Sequence, residues 1–304
     1  MTEEVLPLVS VMIPTFNAPR FCKLALESAL AQNYPQIEII VCDNSDNEKT
    51  SEMIAAYLSD PRLRYIRNRG AKSKAANFAP FATLARGDYL QWLMHDDILA
   101  PDKIAKMAAC LQKFPQVTLV TSLRGIIDEK GRKASDMMPM ELPIAGEYQI
   151  FDGASLGRLA LAFAANIFGE PSAFMFRRRD LTHHYWRAEC RGYRVISDVA
   201  MCLELLEKGD ALVWREPLSF FRRHAAQEGQ NIDVILLSRI EWVNLMREYL
   251  AKKVFLESAE DLKKPLAGFL REYGSEYPLL KEKASLAMQK AYEDCMDEIK
   301  NFVG

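Results

Sequence analysis

The sequence predicts an α/β fold: a mainly parallel central sheet flanked by helices, extended at its C-terminal end by helices alone. Three observations predict it. Strand-like and helix-like segments alternate through the first 125 residues, the pattern of a doubly wound parallel sheet. The strand-like runs end in polar or acidic residues, as they do where a sheet edge opens onto a ligand crevice. After residue 231 glycine becomes sparse and helix formers dominate. With 304 residues, 49% of them apolar, the chain is long enough to bury a large core.

Val9-Ser10-Val11-Met12-Ile13 is a buried strand closed by Pro14, and Arg20 to Gln32 follows with helical spacing of Leu24, Leu26, Ala29 and Leu30. Ile37 to Cys42 is a second strand, ending at Asp43-Asn44-Ser45-Asp46. Lys49 to Ser59 places Met53, Ile54, Tyr57 and Leu58 on one helix face, and Leu63 to Ile66 is a short third strand. Ser73 to Ala85 is helical, Tyr89 to Met94 is a fourth strand running into Asp96-Asp97, and Pro101 to Phe114 is a helix. Residues 126–190 are less regular: Met137-Met138-Pro139-Met140 and Pro143 interrupt any long element, a helix fits Leu156 to Phe168, and Ala173 to Phe176 is strand-like. Val199 to Glu207 is a compact helix with Ser197 or Asp198 as its N-cap. Ala211 to Trp214 and Leu218 to Phe221 read as two strands. In the tail, Leu236, Ile240, Val243, Met246 and Leu250 form one apolar stripe, and Leu286, Tyr292, Met296 and Ile299 suggest a second. The expected division is therefore 1–231 for the α/β domain and 232–304 for a helical extension. Its stripes need a cover, which the acceptor site, a second copy of the chain or a partner domain would provide.

Net charge is −2, against the basic surplus of a dedicated nucleic-acid binder. None of the six cysteines forms a CxxC pair or a zinc-spaced cluster. Several fall in apolar patterns, which points to a reducing, cytoplasmic setting. The acidic start Met1-Thr2-Glu3-Glu4 does not read as a signal peptide. No apolar run approaches the roughly 20 residues of a spanning helix, so any membrane contact is expected to be peripheral, at the inner face.

The sites carry the functional signal. Asp96 and Asp97 are paired hard oxygen ligands at a strand end, suited to Mg²⁺ or Mn²⁺ holding a phosphorylated molecule. No GxxxxGK[ST] loop is present, and no GxGxxG follows the first strand. Pro14-Thr15-Phe16-Asn17 stands there instead, offering backbone groups and an aromatic face to a flat base. Asp43 can accept from a base N–H; it suits uracil without excluding thymine. The set fits a nucleoside diphosphate on a metal better than a triphosphate gripped by glycines.

Val9 to Asn17, Ile39 to Asp46 and Ala85-Arg86-Gly87-Asp88-Tyr89 leading to Asp96-Asp97, taken in that order, resemble glycosyltransferase family 2. Ser197-Asp198 followed by Leu203 to Gly209, then Pro217 to His224, resembles the family's acceptor half, so the likeness spans roughly residues 8–230. It implies the GT-A fold, a Rossmann-like sheet with a donor half (5–125) and an acceptor half (126–231). It also implies an inverting transfer from a nucleotide-diphosphate sugar, most readily a UDP-sugar, to a hydroxyl of a glycan or glycoconjugate, in a setting of bacterial surface polysaccharide assembly. By the same resemblance Pro14, Thr15 and Phe16 line the base, Asp43 bonds to it, Asn17 and Asn44 belong to the donor-binding set, and Lys74 (or Lys72) contacts the donor. Asp96 meets the ribose or metal, Asp97 holds the metal, His224 contacts the metal or the diphosphate, and Asp198 is the catalytic base. The chain departs from the family in two places: Met94 stands where an acid is frequent, and Ser197-Asp198 where Glu-Asp is frequent.

Each residue has a structural alternative. Asp43 suits an Asx turn, Asp198 a helix N-cap, and His224 a structural histidine after a strand. His183-His184 beside Tyr185-Trp186 reads as a surface or acceptor loop, and Arg177-Arg178-Arg179 as a solvated face. Two other functions compete with the leading one. A non-catalytic nucleotide-sugar-binding scaffold fits the Met94 departure and the long tail. A nucleotidyltransferase needs a glycine-rich first loop that Pro14 to Asn17 does not provide.

Overall fold

The computed structural model describes residues 5–70, 73–134, 142–181, 192–225 and 231–304. Expectations for Lys72, Met137–Met140 and His183–Trp186 lie outside them. A nine-stranded mixed sheet runs in the order β3-β2-β1-β4-β8-β6-β9-β5, with β7 also on β9. β1 (Val9–Thr15), β2 (Ile37–Asp43), β3 (Leu63–Arg67) and β4 (Tyr89–Trp92) are parallel, as expected. β8 (Met175–Arg177) is antiparallel to both β4 and β6 (Val117–Ile127), whereas β6 is parallel to β9 (Asp210–Arg222). β5 (Ile98–Leu99) and β7 (Tyr148–Phe151) run antiparallel along β9.

β6 has no counterpart among the expected strands, because Arg124-Gly125 interrupts its apolar run. Gly125 is needed there: an added Cβ would lie 2.5 Å from the Phe220 ring. β9 is one strand where two are expected. The register shifts opposite Ser122 to Arg124, and the bulge absorbs Pro217, which has no N–H for the ladder.

α1 (Pro19–Leu30), α2 (Lys49–Ala55) and α5 (Lys103–Lys113) follow the expected spacing. The helix expected over Ser73 to Ala85 is instead two short pieces, α3 (Lys74–Phe78) and α4 (Phe81–Leu84). Pro80 has no N–H to give to Ala76. Asn68 Nδ2 takes that carbonyl, at 2.9 Å. α6 (Gly153–Phe163) and α7 (Ser197–Leu206) pack on the second half of the sheet.

Three helices close the chain: α8 (Ile232–Lys252), α9 (Ala259–Lys281) and α10 (Leu286–Val303). Leu236, Val243 and Met246 are buried and Ile240 and Leu250 partly so, as their stripe requires. Tyr292, Met296 and Ile299 are buried too, but Leu286, at the first position of α10, is 82% exposed and outside the stripe. These helices share one apolar cluster with α6, α7 and a face of the sheet. Burial on that scale, at ~25 cal/mol per Å² of apolar surface, holds the tail to the domain. No helix among the described residues is long and apolar enough to cross a membrane.

Candidate active site

The C-terminal ends of β1, β2 and β4 lie side by side on one edge of the sheet, and the chain beyond β9 brings His224 to the acids that follow β4. At the β1 end, Pro14 and Thr15 are buried in register with Cys42 and Asp43. Phe16 is 48% exposed, an aromatic face at the mouth. Asn17 sits in the left-handed region (φ 48°), which asparagine tolerates better than most residues. Its amide ties the two loops: Asn17 N donates to Ser45 Oγ (2.7 Å), and Asn17 Oδ1 accepts from Asp46 N (3.1 Å) and Asn47 Nδ2 (3.0 Å). Asn44 N donates to Thr15 O. Asn17 and Asn44 thus shape the loop.

Asp43 is fully buried. Oδ1 accepts from Ser45 N (2.8 Å) and Ser45 Oγ; Oδ2 accepts from Tyr65 OH (2.7 Å) and Arg67. Four donors fill the capacity of a carboxylate. A base N–H can reach Asp43 only by replacing one of them. Arg67 is absent from the expected set, yet it stands opposite Asp43 in the β2–β3 register, so a basic residue at the third strand end was the signal for it.

After β4 the chain turns, with Asp97 N donating to Met94 O, and the two carboxylates part. Asp96 Oδ2 lies 3.1 Å from His224 Nε2, and the His224 ring packs against Phe21 at a 40° tilt, with the ring centroids 5.0 Å apart. Asp97, expected as a metal ligand with His224, is 1% exposed and turns inward, accepting from Arg222 N at 3.2 Å. Burial raises the Asp97 pKa well above the usual carboxylate value, and the neighbouring Asp96 charge adds to the rise, while Ser172 opposes it. His224 therefore meets Asp96 and not Asp97. Arg222 is a staple: its Nε donates to Asp96 O (2.8 Å) and Nη1 to Asp128 O (3.1 Å). Ser172 Oγ accepts from Met94 N (2.9 Å), so this position is held by its backbone.

Asp198 stands in the first turn of α7. The N-cap is Ile196, with no side-chain cap bond, so neither Ser197 nor Asp198 caps the helix. Asp198 Oδ2 accepts from Asn166 Nδ2 at 3.2 Å. Asn166 also donates to Gly169 O and accepts from Phe168 N and Gly169 N, an internal brace for the loop. Burial raises the Asp198 pKa; the Lys74 charge and backbone N–H groups at the helix start work against the rise. Lys74 is thus placed electrostatically beside Asp198. Glu170 pairs with Arg124 at 2.5 Å nearby. Asn166, Glu170 and Arg124 carry no motif that singled them out.

Among the described residues no three His, Cys, Asp or Glu side chains converge as a metal cage. The Asp96–His224 pair offers one oxygen and one nitrogen, a donor set that Mn²⁺ accepts when waters or phosphate oxygens complete its shell.

Comparison with known proteins agrees with this architecture. The family model for glycosyl transferase family 2 matches residues 10–186, more than half of the chain. An uncharacterised glycosyltransferase of Rickettsia conorii is 37% identical over 135 residues, covering 43% of this chain and 22% of that protein. Chondroitin synthase of Escherichia coli is 33% identical over 141 residues, covering 44% and 20%. The matched region is thus about a fifth of either relative. Among solved structures, S. aureus TarS 1-349 in complex with UDP-GlcNAc superposes with a TM-score of 0.60 at 15% identity, covering 98% of this chain and 82% of that one. A Pyrobaculum calidifontis mannosyltransferase in complex with GDP-Man and Mn²⁺ gives 0.50 at 16% identity, covering 99% and 86%. The fold is of the GT-A type, and with the family motifs in order along its strand ends the chain belongs to glycosyl transferase family 2.

Proposed function

We propose that the protein is an inverting glycosyltransferase that moves a sugar from a nucleotide-diphosphate donor, a UDP-sugar, onto a hydroxyl of a glycan or glycoconjugate. The observation that carries the reading is Asp198, a buried carboxylate of raised pKa that accepts from Asn166 in the first turn of α7. Phe16 and the Asp43–Arg67 end receive the base. The acceptor oxygen attacks the anomeric carbon and gives its proton to Asp198, and the bond from that carbon to the diphosphate oxygen breaks with its electron pair on the leaving group. A carboxylate pKa raised towards the operating pH improves proton acceptance.

Asp96 and His224 are the residues that would hold a divalent metal, Mn²⁺ or Mg²⁺, with Asp97 fixing their turn from behind. A bound metal supplies Lewis-acid charge to the leaving diphosphate. The UDP-GlcNAc complex of TarS and the Mn²⁺ complex of the mannosyltransferase favour such ligands on this fold.

The test is calorimetry with UDP, dTDP, GDP and CDP, each with and without Mn²⁺, followed by nucleotide-sugar turnover. One nucleotide is expected to bind in an Mn²⁺-dependent way that Asp96→Ala weakens. Asp198→Asn should retain that binding and lose turnover by about 10²–10⁴-fold. Failure of all four nucleotides to bind would leave a scaffold with no donor site. Normal turnover in Asp198→Asn would remove Asp198 as base.

A further inference from the structure

The segment that presents Asp198 is fastened by the C-terminal extension. Glu241, on α8, is 1% exposed. Its Oε1 accepts from Arg194 N (2.7 Å), and its Oε2 accepts from Val195 N (2.9 Å) and Ile196 N (3.0 Å). These are the three consecutive N–H groups that lead into α7, whose N-cap is Ile196. A helix start without a capping side chain leaves donors to be satisfied and a partial positive charge to be met. Glu241 meets the N-cap N–H of Ile196 and holds the two residues before it as well. Two turns along the same face, Glu248 Oε2 accepts from the hydroxyl of buried Tyr193 at 2.7 Å. One residue further, Tyr249 OH donates to Glu207 Oε1 at 2.8 Å, at the far end of α7. α8 therefore grips both ends of the helix that carries Asp198.

We infer that α8 is the jig for the catalytic helix, and that Glu241 is a positioning residue that fixes the reach of Asp198 into the crevice. The inference rests on the assignment of Asp198 as base. It gives the extension a role in turnover besides covering apolar surface. The donor half holds its nucleotide site on β1, β2 and β4, none of which Glu241 touches, so the clamp should govern turnover and leave nucleotide binding alone. A general base must lie within hydrogen-bond reach of its proton, and a 1 Å displacement from a distant change can cost about 10²-fold in rate.

The experiment uses the full chain with Glu241→Ala, the milder Glu241→Gln, and Asp198→Asn as reference. Amide hydrogen exchange is read at residues 194–200. Nucleotide affinity is measured by calorimetry, and turnover as nucleotide release from UDP-GlcNAc, UDP-glucose and GDP-mannose. Exchange at 194–196 should rise in Glu241→Ala, with less change in Glu241→Gln, whose single carbonyl keeps part of the grip. Nucleotide affinity should stay within about twofold, while turnover at saturating donor falls by about 10–100-fold and recovers partly in Glu241→Gln. Unchanged exchange in both variants would overturn the clamp. Raised exchange with undiminished turnover, where Asp198→Asn is inactive, would overturn the positioning role. An Asp198→Asn protein that turns over normally would show instead that the base assignment had failed, and the positioning role would fall with it.

Discussion

Gly87→Ala tests how the donor half is locked together. Gly87 lies in the Ala85-Arg86-Gly87-Asp88 segment, just before β4. A Cβ added there would stand 2.6 Å from Ser10 N, 2.7 Å from Ser10 Oγ and 2.8 Å from Leu8 O. Two of these atoms are backbone of the neighbouring strand and cannot rotate away, so relief means pushing β4 off β1. Overpacking of this kind costs about 1–3 kcal/mol, and the upper end applies where backbone is struck. Separation also stretches the hydrogen bond from Gly87 N to Ser10 Oγ (2.8 Å) and disturbs that from Ser10 Oγ to Glu38 (2.6 Å), at about 1 kcal/mol each. The sum is about 5 kcal/mol, which at a slope of roughly 3 kcal/mol per molar urea lowers the unfolding midpoint by roughly 1.7 M. Gly70→Ala is the control, since an added Cβ there meets nothing within 4 Å, and it should change stability by no more than about 0.5 kcal/mol. Urea unfolding followed by tryptophan fluorescence compares the two. A Gly87→Ala midpoint no lower than that of Gly70→Ala would refute the close-approach argument.

Two pH predictions follow from the charged groups. Asp198 must be deprotonated to accept a proton, and burial raises its pKa, so turnover should fall on acidification with a limb above the ordinary aspartate value of 3.8. Lys74 opposes that rise, so Lys74→Met should shift the limb to higher pH in a kcat–pH profile; a limb that stays in place would remove Lys74 from the site. Burial pushes the Glu38 pKa up, but hydrogen bonds from Ser10 and Arg86 outweigh it and leave the folded value below 4.5. A depressed carboxylate contributes stability above its unfolded pKa and loses it as pH falls through the folded one. Glu38→Gln should therefore cost more at about pH 7 than at about pH 3, compared by urea midpoints at each pH; equal costs would show that the charge of Glu38 is not what matters.

Much of the first, mostly parallel half of the sheet was legible because its signals are local. β1, β2 and β4 are buried on both faces, so their runs are mostly apolar, broken only by the buried Ser10, Glu38 and Gln91 before the strand-end Thr15 and Asp43. Pro14 to Asn17 and Asp43 to Asp46 then fall opposite one another because parallel strands in register must end together. The missing parts each have a physical cause. Pro80 splits one expected helix because a neighbouring Asn68 side chain can take the carbonyl that proline cannot serve. The adjacent acids Asp96 and Asp97 look equivalent in sequence. Strand alternation ends at Trp92, and the Met94–Asp97 turn decides which carboxylate is buried and which meets His224.

The second half shows a different limit. Asp198 could be named from its motif, but the groups that position it come from far along the chain and are ordinary residues where they stand. Asn166 is one of many loop asparagines, and Glu241 is a glutamate in a polar gap of an amphipathic stripe. The stripe on α8 says that an apolar face must be covered, because periodicity encodes which side of a helix is buried. It does not say which surface covers it. Burying that face carries Glu241 inward as well, and a buried carboxylate must find donors. The uncapped start of α7 has N–H groups to offer, so the pairing satisfies two requirements at once. The apolar pattern brings the helix to the domain, and Glu241, which it buries along with Arg239, then fixes the register at which the helix docks.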